Sequence, residues 1–110
     1  MMFPVQKTAR DFEELVQENK YEEASLLLSD DEFQFMSPFG KFKSKKEWLK
    51  KFPRAHATMP TILFGEYHEQ NPNQVERRGS KKVALFTINV KQVIEVDKDG
   101  KIKRISASKE

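Results

Sequence analysis

The chain has 110 residues, with 20 Lys and Arg against 17 Asp and Glu, no Cys, five Pro and four Gly. A chain of this size buries only about two-thirds of the surface its unfolded form exposes, so it holds one core, and a single domain over residues 1–110 is expected. The lack of cysteine excludes disulfides, thiol catalysis and Cys-ligated zinc or iron–sulfur centres; no apolar run reaches the ~18 to 20 residues of a membrane span, and no leader pattern opens the chain, so a cytoplasmic location is expected. Mean hydropathy is low at -0.74, yet nine Phe, one Trp and two Tyr supply large anchors that a disordered chain lacks.

The first third has helical spacing. Thr8 and Asp11 form a capping-box pattern, and Ala9, Phe12, Leu15 and Val16 then repeat on one face as far as Asn19. Ala24, Leu27 and Leu28 predict a short second helix over residues 21–28, stopped by Ser29-Asp30-Asp31. From Glu32 the period changes to two, with Phe33 and Phe35 on one side of a strand, and Ser37-Pro38-Phe39-Gly40 turns the chain. Ser44 and Glu47 open a third helix carrying Trp48, Leu49 and Phe52, with Pro53 as its stop and a loop to Pro60.

Beyond that loop the pattern predicts an antiparallel meander with strands near residues 61–69, 74–78, 83–96 and 101–108. The links are Asn71-Pro72-Asn73, Gly79-Ser80 and Asp97-Lys98-Asp99-Gly100. On the long strand, Ala84, Phe86, Ile88, Val90, Ile94 and Val96 share one face, and Gln92 is the polar member of that series. The register around Arg77 to Lys82 stays open between a turn and a bulge.

This order of elements resembles the nuclear-transport-factor-2-like superfamily, in particular its SnoaL-like and ketosteroid-isomerase-like members. The resemblance rests on the amphipathic helix, Leu26-Leu27-Leu28-Ser29-Asp30-Asp31, the Phe-rich strand into Ser37-Pro38-Phe39-Gly40, the Lys/Trp helix and the meander closing on Asp97 to Ile102. It implies an α+β cone in which a curved antiparallel sheet wraps three N-terminal helices around a pocket. It also implies a homodimer through the outer sheet face.

The resemblance further implies that the isomerase machinery is replaced. Ser37 stands where such enzymes carry a carboxylate base, Phe12 where a tyrosine donates to the oxyanion, and Gln92 where a second acid assists. Without a carboxylate base and a phenol donor, steroid-isomerase chemistry loses orders of magnitude in rate. Gln92 retains an amide that can donate to a ligand carbonyl, alongside the reading that it is satisfied at the sheet end by backbone or water.

The expected ligand pocket comprises Phe12, Phe33, Phe35, Ser37, Trp48, Phe52, Phe64, Gln92 and Ile94, from a wider aromatic set that includes Phe39 and Phe86 and that also serves as core. Ser37, His56 and Gln92 are the candidate catalytic residues. His56 and His68 are too few and too far apart for a metal site, and no cofactor is expected. Asp97-Lys98-Asp99-Gly100 begins like a calcium loop, but Lys101 and strand-like Ile102 and Ile105 follow, so it is a hairpin turn.

Three uses are consistent with these residues. The first is a domain that binds a small apolar molecule, with a cyclase- or isomerase-type reaction as its enzymatic form. The second is a non-catalytic dimeric interaction module. The third is a nucleic-acid binder through the basic run Lys41 to Arg54, against which stands the need of Trp48, Leu49 and Phe52 to bury.

Overall fold

The computed structural model describes residues 4–38, 40–58 and 62–110. Helix α1 (Pro4–Gln17) starts one turn before the Thr8 signal, because Pro4 suits the first helical position and Val5 extends the stripe of Ala9, Phe12 and Val16, all four buried. Asn19 ends it in the left-handed region at φ 61°, while the N–H of Lys20 bonds Leu15 O at 2.8 Å. Helix α2 (Tyr21–Ser25) is shorter than predicted: Leu28 leaves it to bridge Ile102, and the N–H of Ser29 bonds Ile102 O at 2.8 Å.

Strand β1 (Gln34–Ser37) pairs antiparallel with β2 (Gly40–Phe42), Ser37 opposite Gly40, burying Phe35 and Phe42. Ser44 caps helix α3 (Lys45–Thr58), its Oγ accepting from the N–H of Glu47 at 3.1 Å. Pro53 does not stop this helix. The missing N–H removes one bond to Leu49, but the helix continues to Thr58 and carries residues 54–58, expected as loop, on its last turn. Trp48, Phe52 and His56, each four residues apart, consequently form one column: Trp48 stacks on Phe52 at 4.9 Å and Phe52 on His56 at 5.3 Å.

The segment expected as one strand over residues 61–69 is two short ones, β3 (Leu63–Phe64) and β4 (His68–Asn71), both antiparallel to β5 (Gln74–Val83). Strand β5 runs straight through Gly79-Ser80. The β5–β6 turn is at Ala84-Leu85, where Ala84 takes φ 54° as the first position of a primed two-residue turn requires. Gly79 serves a different need: a Cβ there would lie 2.7 Å from Phe64 Cδ1 and 2.8 Å from Leu63 O, so its absence lets β3 approach. Strand β6 (Phe86–Val96) is thereby shortened, and Ala84, Leu85 and Phe86 are exposed at a hairpin tip, not in the core, because the turn falls at Ala84-Leu85 and ends the ladder at Val83–Phe86.

Strand β7 (Ile102–Lys109) completes a sheet in the order β2-β1-β7-β6-β5-β3, with β4 on β5. Among the described strands the pairings are antiparallel except β1 with β7, and the isolated Leu28–Ile102 bridge is parallel as well. The result is three helices and a large, curved, unclosed sheet, the α+β cone anticipated from the sequence. The core between them takes Phe12 and Val16 from α1, Trp48 and Phe52 from α3, and Phe33, Phe35, Val75, Ile94, Ile102 and Ile105 from the sheet side. Each such large side chain contributes about 1.5 to 3 kcal/mol on burial. No helix of the described residues is long and apolar enough to cross a membrane.

Asp97 closes the β6–β7 hairpin, its Oδ1 accepting from the N–H of Asp99 at 2.9 Å and of Lys101 at 3.0 Å, with Gly100 at φ 78°. Burial acts to raise this carboxyl, but the N–H bonds from Lys101 and Asp99, then Ser29 and the charge of Lys103, outweigh it and hold it below the ordinary carboxylate value. A native-state pKa below the unfolded one gives stability that is present above about pH 4 and lost as pH falls through the native value. Asp97→Ala should therefore cost about 1 kcal/mol at neutral pH. Urea unfolding across pH should show that difference shrinking at the acid end; a constant difference would refute the assignment.

Candidate functional site

Between α1, the end of α3 and the concave sheet face lies a cavity of about 250 Å³. Its wall is mainly apolar, with Phe12 and Val16 from α1, Phe35 from β1, Phe52 from α3, Phe64 from β3, and Val90 and Ile94 from β6. Of the residues expected to form a pocket, Phe12, Phe35, Ser37, Phe52, Phe64, Gln92 and Ile94 come together here. Phe33 and Trp48 do not: both are almost wholly buried in the core, where the column on α3 and the sheet leave them no cavity face. Phe39 lies outside the described residues, and Phe86 is exposed at the hairpin tip.

The polar part of the wall centres on a residue that its sequence neighbours disguise. Arg77 sits in a basic knot with Arg78, Lys81 and Lys82, but strand alternation turns it inward with Val75, and it is only 6% exposed. It faces Gln92 directly across the β5–β6 ladder. Its Nε donates to Gln92 Oε1 at 2.7 Å and its Nη1 to Glu13 Oε2 at 2.6 Å. The guanidinium also lies 3.9 Å from the ring centre of Phe64 and 4.7 Å from that of Tyr67.

Glu13 completes the network from α1, accepting from Tyr67 Oη at 3.0 Å on Oε2 and from Gln17 Nε2 at 3.2 Å on Oε1. Burial holds the Tyr67 hydroxyl well above its ordinary value; the charge of Arg77 opposes this and that of Glu13 adds to it, so Tyr67 remains a neutral donor. Glu13 thus has three donors on its carboxylate, two on Oε2 and one on Oε1.

This arrangement fixes the orientation of Gln92. Its Oε1 is committed to Arg77, so its Nε2, which donates to none of the described residues, is the end available to the cavity. Arg77 Nη2 likewise donates to none of them. Glu13, Tyr67 and Arg77 were absent from the sequence expectation. The available signal was parity: Arg77 alternates with buried Val75, as Gln92 does with Val90 and Ile94.

The other candidates divide. Ser37 lines the cavity with its Oγ donating to Gly40 O at 3.2 Å, so that proton goes to backbone and not to a base. His56 also lines the cavity, because α3 extends past Pro53; its Nδ1 is 2.7 Å from Tyr21 Oη. His68 is exposed on β4, away from the cavity, and the described residues hold no cluster of three His, Asp or Glu able to bind a metal. In the Lys41 to Arg54 run, Phe42, Trp48 and Phe52 are all buried, which leaves no aromatic of that run exposed for base stacking. Phe12, Ser37 and Gln92, the three residues singled out by the resemblance, all border the same cavity.

No protein-family model and no curated protein sequence matches the chain. Solved structures do match its fold. A steroid delta-isomerase from Pseudomonas aeruginosa superposes with a TM-score of 0.76 at 13% identity, over 100% of this chain and 82% of that one. An NTF2-like protein of unknown function from Cytophaga hutchinsonii gives 0.74 at 14% identity over 100% and 93%. The epoxide hydrolase/cyclase-like enzyme SalBIII, of polyether salinomycin pyran ring formation, gives 0.71 at 13% identity over 96% and 90%. At these identities the likeness is one of fold: over nearly its whole length the chain shares the NTF2-like α+β cone of these structures.

Proposed function

We propose that the cavity binds a small, largely apolar molecule bearing a neutral carbonyl group. The observation that carries this reading is the pair of uncommitted donors, Gln92 Nε2 and Arg77 Nη2, bordering a cavity otherwise walled by Phe12, Phe35, Phe52, Phe64, Val90 and Ile94. Ligand sites are typically apolar clefts with a few placed polar groups, and at about 250 Å³ this cavity lies just below their usual range, which limits the ligand to a small molecule. The charge of Arg77 is already balanced by Glu13. A carboxylate ligand would bring an uncompensated negative charge into the site, whereas a carbonyl oxygen accepts both bonds without one.

In its enzymatic form the site would suit a cyclase- or isomerase-type reaction of low chemical demand, with the apolar wall positioning the substrate and the donor pair polarising its carbonyl. Support comes from the steroid isomerase and the cyclase-like enzyme that share the fold.

A thermal-shift screen of small aromatic ketones, lipids and short oligonucleotides at low and high salt tests the proposal. A ketone at 100 times its Kd adds about 2.7 kcal/mol of stability. The expected result is stabilisation that persists in high salt and falls about tenfold in affinity in Gln92→Leu, the worth of one good hydrogen bond. Stabilisation by oligonucleotides alone, vanishing in salt, would move the function to the Lys41 to Arg54 surface.

A further inference from the structure

We infer that His56 is held as the Nδ1–H tautomer, so that its Nε2 presents a bare lone pair to the cavity, and that the ligand meets this lone pair with a hydroxyl donor. The tautomer follows from one proton. The Tyr21 hydroxyl has a single hydrogen, which it donates to Asn19 Oδ1 at 2.9 Å, and an amide oxygen has none to return. The same hydroxyl oxygen lies 2.7 Å from His56 Nδ1, so the hydrogen of that second contact belongs to the imidazole. A neutral imidazole with Nδ1 protonated has Nε2 as an acceptor.

The Asn19 backbone and the His56 ring are held by the helix end and by ring contacts. Asn19 is the left-handed residue that ends α1, its own N–H bonded to Val16 O at 3.0 Å. The His56 ring is stacked on Phe52 at 5.3 Å and meets Tyr21 edge-on at 5.9 Å. His56 borders the cavity, while Tyr21 and Asn19 do not, which assigns the edge opposite Nδ1 to the cavity side.

The cavity is then polar in two opposite senses. The Arg77 and Gln92 group offers donors, and His56 offers an acceptor. The complementary molecule is a hydroxy-carbonyl compound, in which the carbonyl meets the first group and the hydroxyl the second. The ligand class rests on the binding proposal above; the tautomer does not. Asn19 and Tyr21 act here as positioning residues, since they reach the ligand only through His56.

The test has two readouts on the full chain. Long-range proton–nitrogen correlation spectra of protein labelled with 15N-histidine, recorded where the imidazole is neutral and assigned with His68→Gln, should show His56 protonated on Nδ1. Tyr21→Phe and Asn19→Gly should each move the proton to Nε2; glycine at 19 keeps the left-handed turn, so this variant retains the helix end. A wild-type His56 protonated on Nε2 overturns the inference.

In binding assays, at least one of 2-, 3- and 4-hydroxyacetophenone should bind about tenfold tighter than acetophenone, the worth of one added hydrogen bond. Asn19→Gly should reduce that preference to about twofold or less. Equal binding of acetophenone and all three isomers overturns the hydroxyl assignment alone. Failure of all four to bind overturns the cavity reading and the ligand class together, with the tautomer decided by the spectra.

Discussion

Glu13→Ala should lower stability by about 3 kcal/mol, the low end of the cost of breaking a buried ion pair, since the Glu13 side chain keeps 27% of its surface exposed while Arg77 keeps 7%. For a domain of this length that is a fall in Tm of roughly 10 to 20 °C. The loss arises at Arg77, which would retain its charge in a cavity wall of Phe64, Tyr67 and Val90 with no anion to balance it. The double variant Glu13→Ala with Arg77→Met removes both charges and should be more stable than Glu13→Ala alone, because no unpaired charge is left in the wall, although Gln92 Oε1 and Tyr67 Oη lose their partners. A thermodynamic cycle measured by urea denaturation decides the matter. Glu13→Ala within about 0.5 kcal/mol of wild type, or a double variant as unstable as the two single losses added, would mean the pair is not coupled.

The second large effect is expected at Gly79. An alanine Cβ would be 2.7 Å from Phe64 Cδ1, 2.8 Å from Ile62 Cγ2 and 2.8 Å from Leu63 O. Two of these are side chains that can shift, but the carbonyl belongs to the strand pairing with β5, so β3 itself must move. Gly79→Ala should cost about 1 to 3 kcal/mol, the usual penalty of overpacking. Because Phe64 covers the guanidinium of Arg77, displacement of β3 should also weaken binding of a ketone probe. Unchanged stability would show that β3 yields freely, and unchanged stability with unchanged binding would separate β3 from the site altogether.

Much of the fold could be read from the chain because its signals were local and periodic. The stripe Ala9, Phe12, Val16 and the cap at Ser44 each depend on residues within a few positions of one another. Gln92 was conspicuous for the same reason, as one amide in an apolar series. The errors came where a local signal was overruled from a distance. Pro53 reads as a stop, yet the stacking of Trp48, Phe52 and His56 against Tyr21 carries the helix past it. Gly79-Ser80 reads as a turn, yet the glycine answers to β3, a strand 15 residues earlier.

The polar half of the site was illegible for a sharper reason. Glu13 and Arg77 are 64 residues apart and Glu13 and Tyr67 54 apart, and each is surrounded in sequence by charged or polar neighbours that make it look solvated. Only the strand register, which sets Arg77 opposite Gln92, brings them to one wall.

The parallel pairing of β1 on β7 also governs when this protein can fold. Strands β4 to β7 pair with their neighbours in sequence and can assemble as they emerge during synthesis, but the β1–β2 hairpin, made early, has no place in the sheet until Ile102 to Ser106 arrive. Closing that contact spans some 70 residues, an entropic cost that must be met before the contact gives anything back. Until then only α3, through Phe52, can cover Phe35 and Phe42 of the early hairpin, so the joining of the two parts of the sheet waits on β7.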